Sequence, residues 1–539
     1  MRWLVVFWFC LFTGDLSAQG YYQKSVDAYR AMKYDSAFLY IETAVNYYRT
    51  QRMTDSLVLT YIQKADMVWS QKGIPSALAA IDSAIILARQ LPFKDPLHVA
   101  AFNKKGQILV HNKEPEKGKK YLLQALDHVD ANAAPNGIYA ALYNNLSWFF
   151  LELQNFTPAM DYAEKAKKIN EDLYGRNARQ LLGAYQSLMS IAHDAGWFSR
   201  AEQYGLELYR LGTLNLPASH PNMGLIHNEL GILYESMYRL DEALFHKQQM
   251  VHIIQQDYAK HKNPQLLAIA YNNMGSFYYI IGELQLSLEY YDKAKQLHEV
   301  NYGAESVGIV RPLTHLANLK SAVGKYEEAD SLYARAYTLQ QHYAATDWLN
   351  MAYVEAQYGD LFLNKKQYTK AEYFYLKALK HNKKAGITNT SIVEQTRTTL
   401  AEVYARTGRS AEAITILQNV LERYRRVHPP GNILIAGQYN KISEAFLLND
   451  RPEQSMHYSD SIFLELLQLP ALPDSGWIEK LPFSHHIIRY LQNRAAIESR
   501  LYKESGKTKH LQHLLQLADG YGIYLQKSLP ALRTQASLL

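Results

Sequence analysis

The sequence predicts an all-α fold, an α-solenoid of stacked helical hairpins. Apolar residues recur at spacings of three and four along nearly all of the 539 residues, which is the period of an amphipathic helix. A template of small and aromatic residues returns about every 42 positions, and alternating segments typical of strands are nearly missing. Because one helical hairpin cannot bury both of its faces, repeated hairpins stack on one another.

The clearest copy of the template begins at Met274. An apolar residue is followed by a small one, an aromatic, a turn residue, and then an aromatic and an alanine in the second helix: Met274, Gly275, Tyr278, Gly282, Tyr291 and Ala294. The same apolar position recurs at intervals of 42 residues, with one interval of 44: Leu146, Leu188, Leu230, Met274, Leu316, Tyr358, Leu400 and Ile442. With weaker copies upstream, we predict about eleven repeats over residues 19–465.

The small residues of the template predict close contact between the two helices of each hairpin. Glycine or alanine after the apolar position leaves room for the second helix. Alanines such as Ala371 and Ala378 are seven positions apart and so share one face of that helix. The aromatics between them, Tyr291, Tyr333 and Tyr375, are interpreted as core residues that fill the remaining space.

Charge and cysteine content argue against several classes of function. The net charge of +6 is spread over 539 residues, and no basic run carries interleaved aromatics, so we predict no nucleic-acid partner. The only cysteine, Cys10, lies near the N-terminus, which leaves no thiolate metal site and no thiol nucleophile in the repeats. We predict no metal and no small-molecule cofactor.

The N-terminal segment "MRWLVVFWFCLFTGDLSAQG" has the layout of a secretory signal peptide. One arginine precedes an apolar run from Trp3 to Phe12, which is too short to span a membrane as a helix. We assign residues 1–18 to the signal, with cleavage after Ala18. The mature chain is then expected in a periplasm or outside the cell.

The repeat resembles the tetratricopeptide repeat (TPR), whose standard period is 34 residues. Eight extra residues, shared between two helices, lengthen each by about 6 Å, which resembles the long repeats of kinesin light chains. The connections "LPASHPNMGLIHNELGILY" and "VNYGAESVGIVRPLTHLANL" look like that family's, although its usual tryptophan and repeat-end proline are mostly missing. The resemblance implies a right-handed superhelix that binds proteins or peptides without catalysing a reaction.

The pattern lapses after the repeats. Residues 466–484 contain Pro470, Pro473 and Pro482 and are predicted to form a linker, whereas residues 485–539 are predicted to form one more long hairpin. This C-terminal part resembles the region that precedes the protease in bacterial TPR–CHAT proteins. The resemblance supplies an alternative function: the sensor or regulatory portion of a CHAT-protease or envelope signalling system whose catalytic domain is absent from this chain.

In TPR arrays the first helices line a concave groove, and the resemblance places a set of polar residues there. The candidate peptide-binding residues are Asn145, Asn228, Asn272, Asn273, His315, Asn318, Gln357 and Asn440. An amide donates and accepts at once, so it can bond an extended peptide backbone regardless of side chains. The alternative is that these amides cap turns or face water. The basic residues near the groove are too scattered to predict gripping of a C-terminal carboxylate: Lys104, Arg311, Arg406 and Lys441.

No motif of the sequence indicates an enzyme. "SGKTK" ends like a phosphate-binding loop, but Leu501 occupies the position of its first glycine and a helical pattern precedes it. His485 and His486 are adjacent and point in different directions on a helix, which disfavours a shared metal. The sequence therefore predicts an exported, non-catalytic scaffold that binds a protein or peptide in its concave groove.

Overall fold

A computed structural model describes residues 16–30, 33–112, 114–130, 134–261, 264–345, 347–388, 390–472, 477–481 and 485–537. The chain forms two compact units, Met1–Ile191 and Ala192–Leu539, which are described separately. The proposed signal peptide lies largely outside the described residues, and its predicted cleavage point after Ala18 falls within the first helix, which begins at Leu16.

Helices account for all regular structure in the described residues, which confirms the predicted all-α class. Unit 1 contains α1 (Leu16–Arg30), α2 (Tyr34–Thr50), α3 (Thr54–Lys72), α4 (Ile74–Ala88), α5 (Pro96–His111), α6 (Pro115–Asp127), α7 (Gly137–Glu152) and α8 (Phe156–Tyr174). Helix α9 (Leu181–Asp194) contains residues of both units.

Unit 2 continues the series. Its helices are α10 (Phe198–Asn215), α11 (Pro221–Ser236), α12 (Leu240–His261), α13 (Pro264–Ile280), α14 (Leu284–Tyr302), α15 (Val310–Ala322), α16 (Tyr326–Tyr343), α17 (Trp348–Asn364), α18 (Tyr368–Lys384), α19 (Ser391–Arg406), α20 (Ser410–Val427), α21 (Ile433–Leu448), α22 (Pro452–Leu467), α23 (His485–Ser505) and α24 (Thr508–Ser537). Two 3₁₀ turns, Val307–Ile309 and Ile478–Lys480, lie between helices.

Consecutive helices pack as hairpins. The most extensive contacts join the two members of each pair: α1 with α2, α3 with α4, α5 with α6, α7 with α8, α11 with α12, α13 with α14, α15 with α16, α17 with α18, α19 with α20 and α21 with α22. Gly282, Gly324 and Gly408 occupy the tight turns with φ of +85°, +78° and +83°, a region that glycine adopts without steric cost. The solenoid of helical hairpins predicted from the repeats is therefore confirmed.

The small residue of the template permits the predicted close approach. A Cβ atom added to Gly359 would lie 2.7 Å from a ring carbon of Tyr375, and one added to Gly275 would lie 2.7 Å from Tyr291. Both tyrosine rings are fully buried against the glycines. Interiors at crystal-like packing density have no room for an extra methyl group at such a contact.

Neighbouring hairpins of unit 2 also contact each other through their first helices. These contacts join α13 with α15, α15 with α17, α17 with α19, α19 with α21, and α21 with α23. We call the odd-numbered helices α11 to α23 the inner layer of unit 2. Seven of the eight predicted groove residues lie on these helices, whereas Asn145 lies on α7 of unit 1.

Part of the predicted linker is packed into the core. Trp477 lies 4.5 Å from Phe463, ring centre to ring centre, and Trp477, Ile478 and Leu481 are buried. Residues 473–476 and 482–484, which include two of the three prolines, lie outside the described residues. Helices α23 and α24 follow this segment and contact each other.

Unit 2 contains a buried polar contact between residues that are very distant in sequence. The carbonyl oxygen of Ala195 lies 3.4 Å from Nδ1 of His428 and accepts a hydrogen bond of 3.4 Å from Nδ2 of Asn432. All three residues are buried. The turn between α9 and α10 is thus joined to the connection between α20 and α21.

None of the described helices is both long and apolar enough to cross a membrane.

The Gly359–Tyr375 contact provides a stability test. We expect Gly359→Ala to lower the free energy of unfolding by about 1–3 kcal/mol, because the new methyl group overpacks a rigid ring. The measurement is urea unfolding followed by circular dichroism.

Gly522 serves as the control for helix propensity. It lies in α24, and a Cβ there would meet nothing within 4 Å. We expect Gly522→Ala to leave unfolding unchanged or to stabilise the protein by about 0.5–1 kcal/mol. Equal unfolding midpoints for Gly359→Ala and the natural protein would contradict the close-packing explanation.

Candidate functional site

Three tyrosines of second helices extend their hydroxyl groups to the inner layer. Tyr375 donates to Oδ1 of Asp360 over 2.6 Å, and Tyr333 donates to Oδ1 of Asn318. The hydroxyl of Tyr291 shares a hydrogen bond of 3.0 Å with Ser276. In each hairpin the partner is the residue directly after the small residue of the template. The rings are core residues, as predicted, whereas their hydroxyl groups fix inner-layer side chains.

A directed series of hydrogen bonds ends on Asp360. Tyr333 donates to Asn318, whose Nδ2 donates to Oε1 of Gln357 over 2.7 Å. Nε2 of Gln357 then donates to Oδ2 of Asp360 over 3.2 Å, while Tyr375 donates to the other carboxylate oxygen. Every donor in this series points toward Asp360, so α15, α16, α17 and α18 together orient one carboxylate.

Among the described residues, the Asp360 carboxylate has no cationic partner. Burial raises its pKa, the hydrogen bond from Tyr375 lowers it and the nearby negative charge of Glu402 raises it, and together they bring the pKa to about 6. Within the described part of the chain, no lysine, arginine or histidine forms an ion pair with Asp360. A partly buried carboxylate that is ionised at neutral pH without a counter-charge is electrostatically unsatisfied.

Two tyrosines of the inner layer, Tyr279 and Tyr353, have a pKa raised by burial, and both lie close enough to this carboxylate for its charge to raise their pKa further. Tyr279 of α13 is 38% exposed, and Tyr353 lies one helical turn before Gln357. Burial and then the charge of Asp360 raise the pKa of Tyr279, although the two residues belong to hairpins separated by a third. The guanidinium of Arg311 lies over the Tyr353 ring at 5.3 Å. Aromatic faces beside a carboxylate form a typical environment for a cationic group.

Most of the predicted groove amides bond to one another between hairpins. Nδ2 of the first residue donates to the side-chain oxygen of the second in four pairs: Asn145 with Asn103 at 2.9 Å, Asn273 with Asn228 at 2.7 Å, Asn318 with Gln357 at 2.7 Å, and Asn493 with Asn440 at 3.0 Å. We call these pairs the amide ladder. Each pair joins the first helices of neighbouring hairpins, and it uses only part of the donors and acceptors of each amide.

The remaining predicted groove residues have other surroundings. Oδ1 of Asn272 is buried and therefore out of reach of solvent. It has no hydrogen-bond partner among the described residues. His315 stacks on Tyr291 at 4.9 Å, and burial, with a smaller effect of Arg311, lowers its pKa to about 4. His315 is therefore neutral at physiological pH and contributes a flat ring.

Charged residues continue the inner layer toward α23. Although burial alone would raise the pKa of Glu402, Lys441 and Arg406 lower it to about 2. Both cations lie 2.8 Å from Glu402, and Arg489 lies 3.1 Å from Glu444. These residues line a cavity of about 240 Å³.

The basic residues considered in the sequence are thus engaged within the chain. Lys104 pairs with Asp66 at 2.9 Å, Lys441 and Arg406 pair with Glu402, and Arg311 lies on Tyr353. This arrangement offers no cluster of unpaired cations for a ligand carboxylate among these four residues. Of the inner-layer carboxylates described above, Glu402 and Glu444 pair with cations, whereas Asp360 does not.

Sequence patterns contained a signal for the tyrosine bonds. Tyrosine stands sixteen residues after the small residue in three consecutive repeats, and in these the residue after the small one is Ser276, Asn318 or Asp360. In the next repeat the equivalent position is Leu417, which cannot bond Glu402. A tyrosine sixteen residues after the small residue is therefore the sequence signal for these bonds.

Comparisons with known proteins agree with this architecture. Tetratricopeptide-repeat family models match residues 266–342, and a second model of the same description matches residues 140–177 and 394–433. Among curated proteins, none matches the sequence.

Solved structures show partial similarity. A Rap protein complexed with Competence and Sporulation Factor is 12% identical, with a TM-score of 0.44 over 74% of this chain and 99% of that one. BtubC (BKLC) from P. vanneervenii is 20% identical, with a TM-score of 0.33 over 44% of this chain and 92% of the other. A putative kinesin light chain from Podosopora anserina with nearly identical TPR-like repeats is 13% identical, with a TM-score of 0.33 over 38% and 97%.

The matched segments, residues 140–177, 266–342 and 394–433, are tetratricopeptide repeats, and they lie within the paired helices described above.

Proposed function

We propose that the inner layer of unit 2 binds an extended segment of a protein or peptide, and that a cationic group of this ligand pairs with Asp360. The observation that carries the proposal is the directed hydrogen-bond series that orients an ionisable, unpaired carboxylate beside Tyr279 and Tyr353. A lysine or arginine side chain, or an N-terminal amine, would supply the missing counter-charge. Charge-assisted hydrogen bonds of this kind are about twice as strong as neutral ones.

The amide ladder supports the same proposal because it offers hydrogen bonds to the backbone of the ligand. Asn273, Asn318 and Gln357 each keep an N–H and an oxygen lone pair beyond the hydrogen bonds described above, so they can bond a peptide backbone without breaking the bond to the neighbouring hairpin. Asn273, Asn318 and Gln357 lie on successive first helices, α13, α15 and α17. An extended chain along these helices would meet a regular series of amides and then the Asp360 carboxylate.

Export of the protein is part of the proposal and derives from the signal-like segment at residues 1–18. The ligand is then expected in a periplasm or outside the cell.

Asp360→Asn tests the charge requirement. We expect the natural protein to enrich lysine- and arginine-containing members of a library of ten-residue peptides, and the variant to bind them about tenfold more weakly, since one charge-assisted bond becomes neutral. The asparagine can keep both neighbours by accepting from Gln357 and donating to the Tyr375 oxygen. Bead-display sequencing measures the enrichment.

Glu327→Gln is the matched control, because Glu327 lies on the second helix α16 and its side chain is 88% exposed. It removes the same charge outside the inner layer. Identical peptide enrichment by the natural protein and Asp360→Asn would refute the role of Asp360.

The raised pKa of Asp360 predicts a pH dependence of binding. The carboxylate is ionised above about pH 6 and protonated below it. Because only the ionised form pairs with a cation, the apparent affinity should fall about tenfold between pH 7.5 and pH 5. Fluorescence anisotropy with one enriched peptide measures this change, and Asp360→Asn should show a flat profile. The same slope in both proteins would assign the titration to another group.

The amide ladder can be separated from ligand binding by a pair of substitutions. Asn273→Ala leaves the buried Oδ1 of Asn228 without its donor, and we expect it to lower the free energy of unfolding by about 1–3 kcal/mol. Asn228→Ala/Asn273→Ala removes both partners and should recover part of that loss. If the amides also bond the ligand backbone, the double variant binds peptide more weakly despite its recovered stability. Unchanged peptide affinity in the double variant would restrict these amides to a structural role.

A further inference from the structure

The C-terminal hairpin brings two histidines and a glutamate together. Glu498 lies on α23, and His510 and His513 lie on α24, beyond the turn that contains Gly506. The histidines are three positions apart and therefore share one helix face. Nδ1 of His510 lies 2.6 Å from Oε2 of Glu498, and Nδ1 of His513 lies 3.0 Å from Oε1. The three possible ligand atoms all lie within 4.8 Å of one another.

We propose that Glu498, His510 and His513 bind a divalent transition-metal ion, with zinc as the ion that best fits these donors. Two imidazoles and one carboxylate form a common three-residue zinc set that leaves a fourth position open. Around a tetrahedral zinc ion with bonds of about 2.0–2.1 Å, ligand atoms are about 3.3 Å apart. The two Glu498–histidine separations, 2.6 and 3.0 Å, are slightly shorter than that value, and the three ligand atoms lie within 4.8 Å of one another, so small side-chain rotations would admit the ion.

The local charge balance is compatible with a cation. Glu498 and Asp460 carry two negative charges, and Arg494 carries one positive charge while contacting both carboxylates, with its Nε 3.4 Å from Glu498 Oε1. With both imidazoles neutral, these five side chains have a net charge of −1. Imidazole nitrogens favour zinc and similar metals over magnesium and calcium, which bind oxygen ligands.

Access to the cluster is one-sided. The side chain of Glu498 is 1% exposed and that of His510 is 11% exposed, whereas that of His513 is 48% exposed. Solvent therefore reaches the cluster from the His513 side, which gives the ion an entry path and room for a water as fourth ligand. The buried carboxylate on the other side provides a desolvated, charged anchor.

Without metal, the same atoms form a hydrogen-bonded cluster. Because a carboxylate only accepts, each imidazole must donate its Nδ1 proton to Glu498. Metal binding would replace these two protons, move the ring proton of each histidine to Nε2, and join α23 to α24 across the turn. The two states differ in metal content and in the stability of the hairpin, and both quantities can be measured.

The test uses the full chain after treatment with a chelator and dialysis. We expect one zinc per chain in equilibrium dialysis with mass-spectrometric detection, visible absorption typical of tetrahedral cobalt on Co²⁺ addition, and a higher melting temperature with zinc than with magnesium. His513→Gln should weaken zinc binding by at least about 100-fold, since even groups that only support ligands contribute 10- to 100-fold. His513 is largely exposed, so this variant is expected to fold.

His486→Gln is the matched control, because His486 is an exposed histidine of the same hairpin that lies outside the cluster. It should keep the zinc stoichiometry, the cobalt absorption and the rise in melting temperature. A natural protein that binds less than one zinc per chain, or a His513→Gln variant that binds zinc as well as the natural protein, would overturn the proposal and leave a hydrogen-bonded cluster only.

Discussion

The close contact between the two helices of a hairpin determines where the tyrosine hydroxyl groups meet the inner layer. At Gly359 the first helix has no side chain, so the ring of Tyr375 packs directly against its backbone. That position carries the tyrosine hydroxyl past the core and onto the next residue, Asp360. A larger residue at position 359 would push the ring outward and separate the hydroxyl from the carboxylate. Packing and polar organisation therefore depend on the same missing side chain.

The inner layer has similar helices in each repeat but differs in its polar side chains, and Asp360 is the clearest difference. Paired helices recur along the chain, and in the three described hairpins from α13 to α18 the tyrosine hydroxyl groups bond inner-layer side chains. Further along, the inner-layer charges are neutralised by partners within the chain, as at Glu402. Asp360 differs because its neighbours donate hydrogen bonds without supplying a positive charge. Its orientation is fixed by the scaffold while its charge remains available.

The fold followed from the sequence because helical period, small residues and turn glycines are local signals that every repeat reinforces. The positions of the groove amides were also accessible, since a 42-residue period assigns equivalent sites. The sequence could not show which amides pair, because pairing depends on the rotation between neighbouring hairpins. The paired residues are 39, 42, 45 and 53 positions apart. Similarly, neither His510 nor His513 was singled out, because Glu498 approaches them only across a turn. Local patterns specify elements, whereas such sites require the geometry between elements.

The contact between Ala195 and the His428–Asn432 segment alters how unit 2 is expected to unfold. In an open repeat array each hairpin touches only its neighbours, so stability is a sum of local terms and unfolding can proceed from either end. A buried contact between residues 233 positions apart closes a long loop in the folded state. This contact links the two ends of the segment from α10 to α20, so unfolding any hairpin within the segment disturbs it. Unit 2 should accordingly unfold with more cooperativity, and refold more slowly, than an open array of the same hairpins, because the loop entropy is lost before the closing contact forms.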